Sequence, residues 1–321
     1  MSRNLSLTEE QLKIAITGGS GFIGSNFVKR LLKDNHEVTV FDSKTKDTAN
    51  RLVSVIDQIE YNVTDLENLE YLKQELKNFD VVAHFYASAN TAIGIAQTDI
   101  DLKKSIIATY NILEAMRTNK IKKIIFTSSP AIYGNPAKIP TTEDTGMLFP
   151  ISLYGAAKLS SEGLISAFCH LFEMKAWIFR LGNVVGIDMT RGVIKDFIKK
   201  LKQNPNELEI LGNGTQQKDI ILLDDCIDGI LFAFTNSNDI INIFNLSSGT
   251  TISINEIAKI VQQEMNLKNV KTTHKGGNTG WQGDVPIVHY DITKIRKLGW
   301  KPKYDSEMAV RLTVKGSLKL Q

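Results

Sequence analysis

A glycine-punctuated turn near the start constrains this chain most: Thr17-Gly18-Gly19-Ser20-Gly21-Phe22-Ile23-Gly24. The apolar segment before it, Leu12-Lys13-Ile14-Ala15-Ile16, reads as a buried strand. After Gly24, residues Phe27, Val28, Leu31 and Leu32 recur at helical spacing. Gly18, Gly21 and Gly24 therefore lie where a strand turns into a helix. A bare backbone there gives the tight geometry and lets a pyrophosphate reach the free N–H groups of the helix N-terminus. The spacing is G-x-x-G-x-x-G rather than the commoner G-x-G-x-x-G.

A second apolar strand, Glu37-Val38-Thr39-Val40-Phe41, ends on Asp42. That carboxylate lies roughly 20 residues beyond the glycines, where a dinucleotide ribose 2′-hydroxyl is held. A carboxylate repels a 2′-phosphate, which favours NAD over NADP, although Lys44 and Lys46 nearby oppose that preference. The competing reading is a tight turn followed by a solvated aspartate. The strand–helix–strand context argues against it.

Strands are expected near 12–17, 37–41, 57–61, 80–85, 121–127 and 175–181, with helices near 22–33, 66–77, 100–118 and 153–172. This alternation predicts an α/β fold with a parallel sheet and helices on both faces. Beyond residue 185 the pattern loosens. Helices are expected at 192–203, 224–235 and 253–265, short strands at 208–211 and 241–246, and a loop at 272–284. The expected organisation is a dinucleotide-binding domain over 1–185, with 215–248 returning to it. Residues 186–214 and 249–321 would form a smaller lobe over the ligand edge of the sheet.

A net charge of +3 over 321 residues is too mild to argue for nucleic acid. Lys195, Lys199, Lys200 and Lys202 read as a solvated helix face. Cys169 and Cys226 lie in apolar surroundings and are expected to be reduced, which fits a cytoplasmic protein. No apolar run is long enough for a membrane span, and the first dozen residues do not read as a signal peptide. The five histidines, at 36, 84, 170, 274 and 289, show no metal-ligand spacing, so no metal is expected.

Tyr154-Gly155-Ala156-Ala157-Lys158 places Tyr154 and Lys158 on one face of a helix. A phenol of pKa ~10 is a poor base at neutral pH. A neighbouring ammonium is expected to lower that value and suit the pair to removing a hydroxyl proton. Phe126-Thr127-Ser128-Ser129 ends a strand expected to be central, where a serine can hold the reacting hydroxyl. Each element alone has a plain alternative, an exposed helix pair or a strand terminus. Both lie downstream of the glycine turn, and together they point to chemistry.

With these residues in place the chain resembles the extended short-chain dehydrogenase/reductase family. The turn Thr17–Gly24, Ser129, Tyr154 and Lys158 are similar to its motifs. The segments 181–186, 192–197, 211–214 and 283–286 are similar to nucleotide-sugar 4-epimerases, most of all the short UDP-glucose 4-epimerase-like branch. The resemblance implies a Rossmann-type doubly wound sheet with a smaller C-terminal α/β substrate lobe. It implies NAD held by Gly18, Gly21, Phe22, Ile23, Gly24, Asp42, Asn62, Val63, Tyr86, Ser105, Tyr154 and Lys158. It implies a nucleotide-diphosphate sugar held by Ser128, Ser129, Asn183, Lys218, Trp281 and Asp284. Tyr154 would take the proton of the sugar 4-hydroxyl, Ser129 would hold the 4-oxygen and Lys158 the nicotinamide ribose. The 4-keto sugar would turn over and be reduced on its other face. The resemblance also implies a homodimer through a four-helix bundle of the helices near 100–118 and 153–172.

Several positions depart from the family pattern. Pro130 and Ala131 stand where sugar dehydratases carry Asp-Glu, which argues against dehydration. Lys218 stands where epimerases often have Arg, and it loses bidentate geometry. A second family Arg has no counterpart near Trp281 and Gln282. Tyr86 is bulky where a small residue is usual, Ser105 replaces an Asn, and Val288 aligns with a gate for the group on sugar carbon 2. Two alternatives stay open: a C4 dehydrogenase that releases the 4-keto sugar, and a non-catalytic dinucleotide-binding protein.

Overall fold

In the computed structural model, which describes residues 10–87, 96–280 and 285–319, the run before the glycine turn forms β1 (Lys13–Thr17). Its last four residues are buried. The turn leads into α1 (Phe22–Lys33), which packs Phe27, Val28 and Leu31 inward, and then β2 (Glu37–Asp42). There follow β3 (Glu60–Val63), α2 (Leu69–Glu75) and β4 (Val81–His84). A π-helical turn, Leu102–Ile107, runs into α3 (Ala108–Thr118). Then come β5 (Lys123–Ser128), a 3₁₀ turn Pro130–Tyr133, α4 (Leu153–Phe172) and β6 (Lys175–Leu181). The third strand starts three residues later than expected. A 3₁₀ run, Asn50–Gln58, takes up the start of the expected segment because Asp57 and Gln58 are exposed there.

Farther along are β7 (Asn183–Val185), α5 (Val193–Gln203), β8 (Glu207–Ile210), β9 (Gln217–Leu222), α6 (Leu223–Asn236) and β10 (Ile241–Leu246). The last elements are β11 (Thr251–Ser253), α7 (Ile254–Glu264), β12 (Lys271–His274), α8 (Thr293–Leu298) and α9 (Ser306–Lys319). The chain forms two compact units, one of residues 1–134, 147–180 and 230–244, the other of 135–146, 181–229 and 245–321.

The first unit is built on a seven-stranded sheet of order β10-β6-β5-β4-β1-β2-β3. The pairings from β3 across to β6 are all parallel. The chain winds outward from β1 to β3, then crosses back to place β4 on the other side of β1. The order therefore reverses between β1 and β4, and ligands bind outside the C-terminal strand ends at such a switch point. Phe41, Leu72, Met116, Phe126, Ile165 and Ile178 belong to one buried cluster that fixes helices against the sheet.

The second unit has two small sheets, β11-β9-β7 and β12-β8. Residues 215–229, expected with the first unit, fall here because β9 pairs with β7 and β11 rather than with the large sheet. The expected loop at 272–284 begins as strand: Thr272 and Thr273 extend a parallel pairing with β8. α7 starts with a capping box in which Ser253 and Glu256 satisfy each other's backbone N–H.

Candidate active site

The glycine turn follows β1 at the switch point. Gly18 has φ +72°, and a Cβ there would lie 2.7 Å from the backbone nitrogen of Tyr86. A Cβ on Gly24 would run into the carbonyl oxygen of Gly18. These two glycines are thus required by the turn packing on itself and on the neighbouring strand end, a cause additional to pyrophosphate access. Gly21 is the N-cap of α1, and no side chain caps that helix. Its first-turn N–H groups, at Phe22, Ile23 and Gly24, have no side-chain cap and could hold an anion with the helix dipole behind them.

Asp42 ends β2 and is buried. One carboxylate oxygen accepts from the Ser20 backbone N–H at 2.9 Å and the other from that of Lys44 at 3.1 Å. The carboxylate is therefore anchored against the glycine turn. Ser20 Oγ is buried with no hydrogen-bond partner. Val63 is paired with Asp42 across the β2–β3 ladder and is half exposed, with Asn62 beside it. Tyr86 follows β4, and its N–H reaches Thr17 Oγ1 at 3.4 Å. Glycine turn, Asp42, Asn62, Val63 and Tyr86 thus share the C-terminal edge of one sheet. An uncapped helix start, an anchored carboxylate and an unpartnered buried hydroxyl suit a dinucleotide.

The same edge carries the proposed chemistry. Ser129 follows β5, and its Oγ accepts from the Ala131 N–H at 3.2 Å, capping the 3₁₀ turn. Ser152 caps α4 by accepting from the Gly155 N–H at 3.1 Å. Gly155 lets that helix start press against the turn, since a Cβ there would lie 2.5 Å from the Ala131 carbonyl oxygen. This close approach brings Tyr154 beside Ser129, near enough for the serine hydroxyl to lower the proton affinity of the phenol. Lys158, one turn along, is buried. It donates to the Thr127 carbonyl at 2.6 Å and stands 4.6 Å from the centre of the Phe126 ring.

The electrostatics differ from the expectation that Lys158 would make Tyr154 acidic. Burial pushes the Tyr154 phenol above its ordinary value. The Ser129 hydroxyl pulls it back, and the charge of Asp101 raises it again. Burial also lowers Lys158 to about 8, against the opposing charges of Glu162 and Asp101. At neutral pH the pair is a neutral phenol and a largely protonated ammonium committed to a carbonyl. Desolvation outweighs mutual attraction here.

Ser128 points into a different network. Its hydroxyl donates to Glu162, which forms a buried ion pair with Arg180 at 2.8 Å. Arg180 also donates to the Tyr133 hydroxyl at 2.9 Å. Ser128 is thus committed to structure, and of the two serines Ser129 is the one beside Tyr154. Glu162, Arg180 and Tyr133 are not among the residues that the sequence motifs single out. Glu162 follows Lys158 at i+4, and Arg180 interrupts the apolar strand Lys175–Leu181, so a signal was there. His84 is also buried, between Thr17 at 2.6 Å and Thr109 at 3.1 Å; burial lowers it to about 3 and keeps it neutral.

A fourth residue that the sequence pattern does not single out is Asp101. It is 3% exposed, and among the described residues neither carboxylate oxygen has a hydrogen-bond partner. Ser105, four residues on, is buried with its Oγ likewise unpartnered.

In the second unit Asn183 is exposed and donates through Nδ2 to the Asp219 carbonyl at 3.1 Å. Lys218 donates to the Val285 carbonyl at 2.7 Å. Trp281 and Asp284 lie outside the described residues. Among the described residues there is no cluster of three or more metal-ligating side chains, and no helix is long and apolar enough to cross a membrane.

Comparison with known proteins gives a concordant picture. Residues 14–247 match the NAD dependent epimerase/dehydratase family. A UDP-glucose 4-epimerase of Lactobacillus helveticus is 28% identical over 319 residues, covering 92% of this chain and 93% of its own. The crystal structure of a UDP-galactose 4-epimerase superposes with TM-score 0.85 at 31% identity, over 96% of this chain and 99% of the other. That of a Thermotoga maritima UDP-glucose 4-epimerase with UDP-glucose gives 0.86 at 29%, over 96% and 99%.

Proposed function

Because this chain belongs to the NAD dependent epimerase/dehydratase family, we propose that it is a nucleotide-sugar 4-epimerase acting on a UDP-hexose through a 4-keto sugar. The observation that supports this most is the convergence of Ser129, Tyr154 and buried Lys158 on the strand edge that also carries the glycine turn. The α1 N-terminus would hold the pyrophosphate of NAD. Asp42 would accept from the adenosine ribose hydroxyls, and Lys158 would donate to the nicotinamide ribose. When bound, NAD supplies a reversible two-electron acceptor.

Ser129 holds the sugar 4-oxygen by a hydrogen bond. Tyr154 receives the 4-hydroxyl proton as the C4–H bond breaks and gives it back to the same oxygen when C4 is reduced on its other face. A neutral phenol has no place for that proton, so Tyr154 would act as phenolate; burial opposes this form, and the Lys158 ammonium one helical turn away would favour it. Lys158 places a positive charge near the oxygen that is losing its proton. The turn after Ser129 begins with Pro130 and Ala131 and offers no acid–base pair for eliminating water. Asn183 and Lys218 would contact the diphosphate.

The π-helical turn and the helices α3 and α4 expose Ile107, Tyr110 and Leu171 respectively, which fits burial against a second copy of the chain as a homodimer. Sedimentation of the protein should show a dimer.

The functional test is NMR of the products formed from UDP-glucose, UDP-galactose and their N-acetyl counterparts, alongside the near-ultraviolet band of reduced nicotinamide. A C4 epimer without accumulation of that band is expected. Accumulation with a free 4-keto sugar would replace the epimerase reading with a dehydrogenase.

A further inference from the structure

Asp101 has no counterpart in the roles assigned above. A buried carboxylate without a hydrogen-bond partner is costly. Asp101 has both oxygens in that condition at 3% exposure, and Ser105 presents a buried unpartnered hydroxyl about one turn along the same helical stretch. The groups that face Asp101 electrostatically are Lys158 and Tyr154, both on α4. On its own stretch, Lys103 is exposed and already paired with Asp99 at 2.7 Å. The charge of Asp101 thus acts on the catalytic pair, and among the described residues no hydrogen-bond donor satisfies it.

We propose that Asp101 and Ser105 receive the nicotinamide end of the dinucleotide, and that the Asp101 carboxylate sets the balance between its oxidised and reduced forms. The inference rests on the reading of the chain as an NAD-dependent enzyme. The oxidised nicotinamide ring carries a positive charge and the reduced ring does not, so a buried negative charge nearby favours the oxidised form. The carboxylate also accepts hydrogen bonds from the carboxamide or ribose donors. An enzyme that must return its electrons to the sugar gains from a cofactor that does not settle in the reduced state. Asp101 acts here as a positioning residue, distinct from the proton-transferring Tyr154.

The test is a redox titration of the full-length protein with its bound cofactor, using a mediator dye and following the reduced-nicotinamide absorbance. Asp101→Asn keeps the shape and removes the charge. It should favour the reduced form about tenfold, a rise of about 30 mV for a two-electron couple. Asp101→Ser also lacks the charge and should shift the same way, which covers the case where one variant folds poorly. Asp99→Asn removes an exposed carboxylate two residues away and should leave the potential unmoved. Bound NAD with an unmoved potential in both Asp101 variants would overturn this inference alone, as would an equal shift in Asp99→Asn. A protein that binds no NAD and converts no nucleotide sugar would instead overturn the parent reading.

Discussion

The two units treat their polar side chains differently. In the first, buried groups at the ends of β1, β4 and β5 are left with unused capacity: Ser20, Asp101 and Ser105 have unpartnered atoms, and Tyr154 and Lys158 have shifted proton affinities. The second also has unpartnered buried oxygens, on Gln216 and Thr313, but its principal buried acid, Asp219, is surrounded by donors. Ser247 and Ser248 donate to one carboxylate oxygen, and the Tyr290 backbone N–H donates to the other at 3.2 Å. Asn183 and Lys218 bond to backbone carbonyls of their own unit. Unsatisfied buried groups are costly and persist where a ligand repays them, whereas satisfied ones are architecture. On the proposed reading the first unit would carry the chemistry and hold the cofactor, and the second is expected to tune substrate affinity.

Substitutions can break or sharpen that contrast. The largest effect is expected for Tyr154→Phe, which removes the proton carrier and should lower kcat by about 10²–10⁴ with bound NAD retained. An unchanged kcat would dissolve the distinction between the units. Glu162→Ala leaves Arg180 buried and unpaired and should cost about 3–5 kcal/mol in a denaturation experiment. Ser128→Ala, which removes one hydrogen bond to the same carboxylate, should cost about 1 kcal/mol. Asp42→Ala should weaken NAD binding about tenfold and narrow the preference over NADP, read by calorimetry. The smallest effect is expected in the second unit, where Lys218→Ala should raise KM for the nucleotide sugar about fivefold and leave kcat nearly unchanged. A collapse of kcat there would move chemistry into the second unit.

Lys158 adds a pH test on the first unit. Its native value, about 8, lies below that of an ordinary lysine, so the ammonium is lost as pH rises through about 8. kcat/KM should fall along that limb if the charge assists. Between about 8 and the ordinary lysine value the unfolded chain binds more protons than the native one, so this group makes stability rise with pH in that window. Opposite slopes for activity and stability would confirm the assignment to one group.

The sheet was legible because its strands are apolar runs separated by helical periodicity, and the glycine turn fixed where the fold begins to bind. Asp42, Ser129, Tyr154 and Lys158 were legible because each stands at a strand end or at a fixed helical spacing. Three things were not. The start of β3 was misplaced because the segment around Ile59 gives no sign that Asp57 and Gln58 are coiled in a 3₁₀ run. The strand β12 was hidden by Gly and Thr residues that read as loop, and its partner β8 lies more than 60 residues earlier in sequence. The Asp101 carboxylate was missed because nothing in a linear sequence reveals that a charged residue is buried without a partner. The same limit explains why Lys158 was expected to dominate the Tyr154 phenol: spacing shows proximity but not desolvation.

The most direct measurement of the central claim uses a nucleotide sugar, UDP-glucose or UDP-galactose, carrying deuterium at C4. If Tyr154 handles only the oxygen-bound proton, and the carbon-bound hydrogen leaves and returns as a hydride through a resident cofactor, the C4 epimer should form with the deuterium kept at C4. An epimer that has exchanged C4 with solvent, or a product inverted at another carbon, would contradict the account.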